Sequence, residues 1–241
     1  MSFPRRFDAI FVDIDDTLWE NNIYFLQVHD WLVREARDLG LSGRAADALM
    51  HRNEMRNIRL IGYGYDSYEQ SLHRTVRQMA AMAGRSERAA ALCARASAWC
   101  AFLRKHPIKL LRGVREALPA LSAEHRLIMF TKGNPRDQLG KVARSGLERF
   151  FHAAEVGAHK SPEEYRRLAE KFGVAPERAL MVGNSPRSDI NNAKRAGFFT
   201  AYVPHRKTWY MELEPISPAH PPTLVVERFD LLAAHLLAVG G

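Results

Sequence analysis

Residues 9–18, Ala-Ile-Phe-Val-Asp-Ile-Asp-Asp-Thr-Leu, constrain the fold of this 241-residue chain more than any other stretch. A short apolar run containing Ile and Val has the character of a strand buried on both faces. It ends at once in Asp13, Asp15, Asp16 and Thr17. Side chains alternate along an extended backbone, so Asp13 and Asp15 are expected on one side and Asp16 on the other. Like charges crowded at a strand end raise the free energy unless something neutralises them. Mg2+, which prefers carboxylate and carbonyl oxygens, is an economical answer.

The remaining chain divides by pattern. Residues 20–106 carry helical periodicity and no convincing strand: a helix over 29–39, a second from Ser42 to about residue 60, a third begun by an Asp66–Glu69 capping box, and a fourth over 86–105. Four helices in succession suggest a small separate bundle. From Gly113 the pattern alternates. Strands are expected at 127–130, 153–156, 179–182, 198–203 and 223–226, and helices at 113–121, 135–145, 162–172, 189–196 and 229–239. This predicts an α/β fold: a Rossmann-like, doubly wound parallel sheet interrupted after its first strand by a helical insertion. The expected boundaries are 1–19 with 107–241 for the sheet unit and 20–106 for the insertion, with candidate hinges near 18–22 and 107–112.

In open parallel sheets, ligands bind beyond the carboxyl ends of the strands. Three strand ends here are polar. The first presents Asp13, the second Thr131-Lys132-Gly133-Asn134, and the third Gly183-Asn184 followed by Asp189. Lys160, just before a helix that Ser161 can cap, falls between the last two. Asp13-x-Asp15-x-Thr17, Thr131, Lys160 and Gly183-Asn184-x-x-x-x-Asp189 together resemble, in order, the four motifs of the haloacid dehalogenase-like (HAD) hydrolases. Each match taken alone has a plainer reading. Thr131 would cap a turn, Lys160 would be solvated, and Asp189 would cap a helix.

The resemblance implies phosphoryl transfer through an aspartyl-phosphate. Asp13 would be the nucleophile, and Asp15 the acid that protonates the leaving oxygen and then the base that activates water. Thr131, Lys132, Gly133 and Lys160 would bind the phosphoryl group, Lys132 and Gly133 through backbone N–H groups. Mg2+ would be held by Asp13, the Asp15 carbonyl, and Asn184 or Asp189. Asn184 departs from the family, which often has aspartate there, at the loss of one negative charge. A 2-haloacid dehalogenase is the first alternative, but dehalogenases carry a non-acidic residue where this chain has Asp15. A catalytically silent binding protein on the same fold is the second.

The helical insertion would be a cap that selects substrate, which favours a small phosphorylated metabolite. Arg52, Arg56 and Arg59 share a helix face and suit either an anionic substrate or solvent; Tyr63-Gly64-Tyr65 suits either the site or an inter-helix turn. His205, Trp209 and Glu212 follow a strand end and are candidates to line the entrance.

The net charge of +8 is spread over scattered arginines and argues for a solvated surface, with no nucleic-acid partner. No apolar run reaches the length of a membrane span, and the basic residues 1–6 are not followed by a signal-peptide core. Cys93 and Cys100 lie about 10 Å apart by helical rise, too far to bridge. A cytoplasmic monomer or homodimer is expected.

Overall fold

The structure, a computed structural model, describes residues 7–240. The basic N-terminal residues 1–6, considered above for a signal peptide, lie outside the described residues. The chain divides into two compact units, Met1–Asn22 with Ile108–Gly241, and Ile23–Pro107.

The first unit is a sheet of six strands: β1 (Ala9–Val12), β2 (Leu127–Lys132), β3 (Ala153–Gly157), β4 (Ala179–Gly183), β5 (Phe199–Tyr202) and β6 (Leu224–Val225). Their order is β3-β2-β1-β4-β5-β6, and every pairing is parallel. The alternation of side chains explains why β1 is apolar throughout. Ile10 and Val12 enter one core with Leu127, Met129, Leu180 and Val182, covered by Leu118 of α5 (Val114–Glu124), Val142 of α6 (Pro135–Ser145) and Leu232 of α9 (Phe229–Gly240). Ala9 and Phe11 enter the other with Ile128, Phe130 and Met181, covered by Tyr165 and Leu168 of α7 (Pro162–Phe172) and Ala193 of α8 (Asn192–Arg195). A strand with a helix layer on each side has no face left for polar residues, so its carboxylates appear only where it ends.

The strand order reverses at β1. The chain builds outward through β2 and β3 on one side and through β4, β5 and β6 on the other. The crevice beyond the ends of β1 and β4 is therefore the topological switch point, where open α/β sheets bind ligands. The two passages into and out of the helical segment run side by side. The Glu20 N–H donates to the Lys109 carbonyl and the Leu111 N–H to the Leu18 carbonyl, both at 2.9 Å.

The second unit contains α1 (Asn22–Asp38, entered from the sheet unit), α2 (Gly43–Ile61), α3 (Tyr65–Met82) and α4 (Ala89–Lys105). Their apolar faces meet around Val28, Leu32, Leu72, Val76, Met79 and Leu103. Ser42 caps α2 as expected, its hydroxyl accepting from the Ala45 N–H at 3.2 Å. Two boundaries differ from expectation. Helix α1 begins seven residues before residue 29, because Asp16, far upstream, accepts the N–H groups of Asn21 and Asn22 at 2.8 and 3.1 Å. Helix α3 begins after Gly64, and Asp66 and Glu69 form no capping box; both carboxylates pair instead with Arg104 of α4, at 2.6 and 2.8 Å.

Arg52, Arg56 and Arg59 are all exposed, the solvated-face alternative. Tyr65 is buried and its ring stacks on Phe25, the packed-turn alternative for the Tyr63-Gly64-Tyr65 segment. Both cysteines are free thiols. Among the described residues, no helix is long and apolar enough to cross a membrane.

Candidate active site

Asp13 is the first residue beyond β1, and its N–H still continues the sheet by donating to the Val182 carbonyl at 2.9 Å. The backbone then leaves the extended form and turns back, with the Leu18 N–H donating to the Ile14 carbonyl at 2.8 Å. The buried Asp13 carboxylate receives the Lys160 ammonium at 2.5 Å and the Thr17 hydroxyl at 3.1 Å. Lys160, also buried, donates equally to Asp189 at 2.8 Å. Burial pushes the Asp13 carboxyl up to about 7; Lys160 opposes this, while Asp189, competing for the same ammonium, reinforces it. Asp189 is raised for the same first reason, burial. Lys160 is disfavoured as a cation by burial, but its two carboxylate partners outweigh this and hold it above its ordinary value.

Asp189 reaches Lys160 through an irregular turn. A regular helix is expected from about residue 189; instead a wide π-turn spans Pro186–Asn191 and passes into the short α8. This corrects the expectation. The Ser185 hydroxyl caps the turn from the Ser188 N–H at 2.8 Å, and the Ser185 N–H donates to Asp189 Oδ2 at 3.0 Å. A Cβ on Gly183 would collide with the Asp189 carboxylate, so only glycine fits beneath it.

Asp15 has a separate set of partners. Its Oδ2 receives the Lys141 ammonium at 2.5 Å and the Gln138 amide at 3.1 Å, and its Oδ1 receives the Trp19 indole N–H at 2.9 Å. Burial acts to raise this carboxyl, but the Lys141 charge and the three donors prevail and hold it below the usual carboxylate range. Asp13 and Asp15 are thus shifted in opposite directions: burial prevails over Lys160 at Asp13, and Lys141 with its neighbouring donors prevails over burial at Asp15. Asp16 stands apart in the left-handed backbone region, at φ 58°, as the α1 cap. Burial pushes its carboxyl up to about 7, although the Asn21 and Asn22 N–H groups oppose this.

The other expected site residues fall as follows. Asn184 Oδ1 lies 3.2 Å from the Thr17 hydroxyl, which also reaches Asp13, and Asn184 Nδ2 donates to Thr208 at 2.8 Å. The Thr131 hydroxyl, buried at the end of β2, accepts from Gln138 at 2.9 Å and keeps its own proton to donate. One expected phosphoryl donor needs correction. The Gly133 N–H is spent on the Gly157 carbonyl at 3.0 Å, so it does not serve a phosphoryl group. Lys132 turns to Glu212, with which it pairs, and its ammonium stands 5.4 Å above the Trp209 ring. Glu212, in turn, accepts the Ser185 and Ser188 hydroxyls at 2.6 and 2.5 Å. It is buried and braces the π-turn, which corrects its expected place at the entrance.

The donor set suits a cation. The carboxylates of Asp13, Asp15, Asp16 and Asp189 outnumber the ammonium groups of Lys141 and Lys160, and the oxygens of Asp13 and Asn184 converge on one hydroxyl. Asp189 has both oxygens engaged already. A second group, Asp16, Glu20 and His205, brings ligand atoms within 4.8 Å of one another. Its bonds account for it as a brace, since Asp16 caps α1, and His205 Nδ1 accepts the Lys207 N–H at 3.3 Å while Nε2 lies 3.2 Å from Glu20. Sequence reasoning missed Lys141, Gln138 and Trp19. The one signal was a Gln and a Lys three apart on the α6 face that also buries Val142.

Residues 7–197 match the family of haloacid dehalogenase-like hydrolases. The chain is 27% identical to a glyceraldehyde 3-phosphate phosphatase of Methanopyrus kandleri over 91% of its length and 93% of that protein's. It is 38% identical to a phosphoserine phosphatase of Thermus thermophilus over 32% of its length and 33% of that protein's. The structure superposes on a haloacid dehalogenase-like hydrolase from Xanthomonas campestris with a TM-score of 0.73 and 23% identity, covering 98% of this chain and 96% of that one. With the residues of its four motifs brought together beyond the sheet and most of its length matched, the chain belongs to the haloacid dehalogenase-like hydrolases.

Proposed function

We propose that this hydrolase is a Mg2+-dependent phosphatase that cleaves a small phosphorylated metabolite through a phospho-aspartate on Asp13. The observation that carries the reading is the division of labour between two carboxylates two residues apart. Asp13 stands over Lys160, and Asp15 is held separately by Lys141, Gln138 and Trp19. Dehalogenation needs the first carboxylate and not the second, so a firmly held Asp15 favours phosphate chemistry. The similarity to a glyceraldehyde 3-phosphate phosphatase along nearly the whole chain supports the same substrate class.

In the first half-reaction an Asp13 oxygen attacks phosphorus, and the bond from phosphorus to the substrate oxygen breaks. Asp15, which the Lys141 pair keeps ionised in the free protein, first takes up a proton as substrate binds and gives it to the departing oxygen. In the second half, Asp15 takes a proton from a water that attacks phosphorus, the bond from phosphorus to Asp13 breaks, and inorganic phosphate leaves. Lys160 and the Thr131 hydroxyl supply positive charge and a donor to the phosphoryl oxygens. Asp13, the Asp15 carbonyl and Asn184 would hold Mg2+; Asp189, engaged by Lys160 and the Ser185 N–H, acts through the lysine. When bound, the cation screens the nucleophile from the negative charge of the phosphate. Substrate choice is assigned to the helical unit as a cap, and the free thiols suit the reducing cytoplasm.

The test is phosphate release from p-nitrophenyl phosphate and a panel that includes glyceraldehyde 3-phosphate and phosphoserine, with and without Mg2+. Turnover is expected only with the cation. Failure of the metal-replete protein on the whole panel would end this reading.

A further inference from the structure

The four family motifs leave Lys141 without a role, yet it is among the most deeply placed charges in the sheet unit, with a side chain only 5% exposed. A lysine is rarely buried so far unless paired. Its polar partners are Asp15 Oδ2 at 2.5 Å and Asn21 Oδ1 at 3.3 Å. Asp13 has its own ammonium in Lys160. A buried ion pair is seldom the most stabilising choice, since apolar residues of like volume do as well or better. The position of the pair therefore asks for a functional account.

Helix α6 supplies the geometry. It starts at Pro135, directly after β2, and Asn134 caps it from the Arg136 N–H at 2.9 Å. The helix is thereby tied to the strand end that carries Thr131. Gln138 and Lys141, one turn apart, both reach Asp15, and Gln138 also touches Thr131. The Gln138 amide nitrogen has three acceptors around it: Asp15, Thr131 and the Lys132 carbonyl at 2.8 Å. This fixes its orientation, and its buried carbonyl oxygen is left with no hydrogen-bond partner. An unsatisfied buried oxygen has a cost, accepted here in an arrangement that holds Asp15 from one side while Trp19 holds it from the other.

We propose that Lys141 is a positioning residue for proton transfer, fixing the Asp15 carboxylate at the place from which it serves the leaving oxygen and the attacking water. This rests on the phosphatase reading and deepens it. Lys141 bears on the fate of the leaving group and not on capture of the phosphoryl group, which belongs to Lys160 and Thr131.

The experiment compares two substrates in the full-length protein with Mg2+. The p-nitrophenolate of p-nitrophenyl phosphate departs without a proton; the alkoxide of an alkyl phosphate such as glycerol 3-phosphate needs one. For Lys141→Met, kcat on the alkyl ester is expected to fall about 100-fold, the range of general acid catalysis, and on the aryl ester less than about 10-fold. KM is expected to stay within about 3-fold for both, because ground-state binding is untouched. Lys141→Arg preserves the charge and guards against a folding defect. It should restore part of the alkyl activity and still show a loss at least about 5-fold larger on the alkyl than on the aryl ester. Equal losses on both substrates, or a loss carried by KM, would overturn the assignment of Lys141 and leave the phosphatase reading standing. A wild-type protein inactive on both esters and on the wider panel would overturn the phosphatase reading and this inference with it.

Discussion

Both units bury polar side chains, and they do so in opposite ways. In the helical unit the buried polar groups between α2 and α3 are neutral and saturate one another. Asn53 donates to Thr75 and Gln78, Asn57 donates to Ser71, and Ser71 donates to the Ser67 carbonyl, at 2.7 to 2.9 Å. In the sheet unit the buried polar groups beyond β1 and β4 include several carboxylates that share too few cations, and burial raises Asp13 and Asp189 while Lys141 lowers Asp15. Neutral networks of this kind fix the register of two helices. Clusters of unlike and competing charges are costly for the fold and are characteristic of sites that do chemistry. The contrast assigns stability to one seam and reactivity to the other, and it can be attacked from both ends.

The strongest attack is on Asp13. Asp13→Asn is expected to lower phosphatase turnover at least about 1,000-fold with no loss of melting temperature, because it removes a carboxyl that burial disfavours. Retained turnover would remove the nucleophile from the account. Lys160→Met should both cut turnover, by about 100-fold or more, and destabilise, by about 3–5 kcal/mol, since it leaves Asp13 and Asp189 facing each other without a cation. Chemical denaturation measures the second effect; a variant of unchanged stability would mean that the charges are not coupled as drawn.

The pH dependence of the metal-free protein sharpens the same point. Asp13 and Asp16 are raised from 3.8 to about 7, so the folded state binds more protons than the unfolded state between these values. Stability from these groups is therefore lost as pH rises from about 4 to about 7 and is level above. The melting temperature should be several degrees higher at pH 5 than at pH 8, at about 2–4 °C per kcal/mol for a chain of this size. Asp16→Asn should reduce the difference. A melting temperature that rises over the same interval would contradict the burial of these carboxyls.

At the other seam, Asn53→Ala should cost about 1–3 kcal/mol by removing the donor to Thr75 and Gln78, with kcat within about 2-fold of wild type. A large fall in kcat would break the division between the units. Arg56→Ala, on an exposed face, should change stability by less than about 0.5 kcal/mol and leave KM unchanged; a raised KM would return the arginine row to the site.

The sheet and its carboxyl-end residues were legible from residues 9–18 onward because burial on both faces leaves a strand no place for polar side chains except its end. Asp13, Asp15, Thr131, Asn184 and Asp189 follow from that rule, since each lies at or just beyond the end of an apolar strand, whereas Lys160 was reached only through the resemblance of its motif. The start of α1 was not legible, because its cap, Asp16, sits six residues upstream of Asn22 in a left-handed turn. Nor was the π-turn that aims Asp189 at Lys160, or the diversion of Lys132 to Glu212, 80 residues away. Local pattern thus determined which strands exist, which faces they bury and where the acids emerge, since these follow from side-chain periodicity and solvation. The partner of each acid was decided only by the tertiary structure. A charge has no local signature of the ion it will meet, and Lys141 and Lys160 reach Asp15 and Asp13 across separations of 126 and 147 residues.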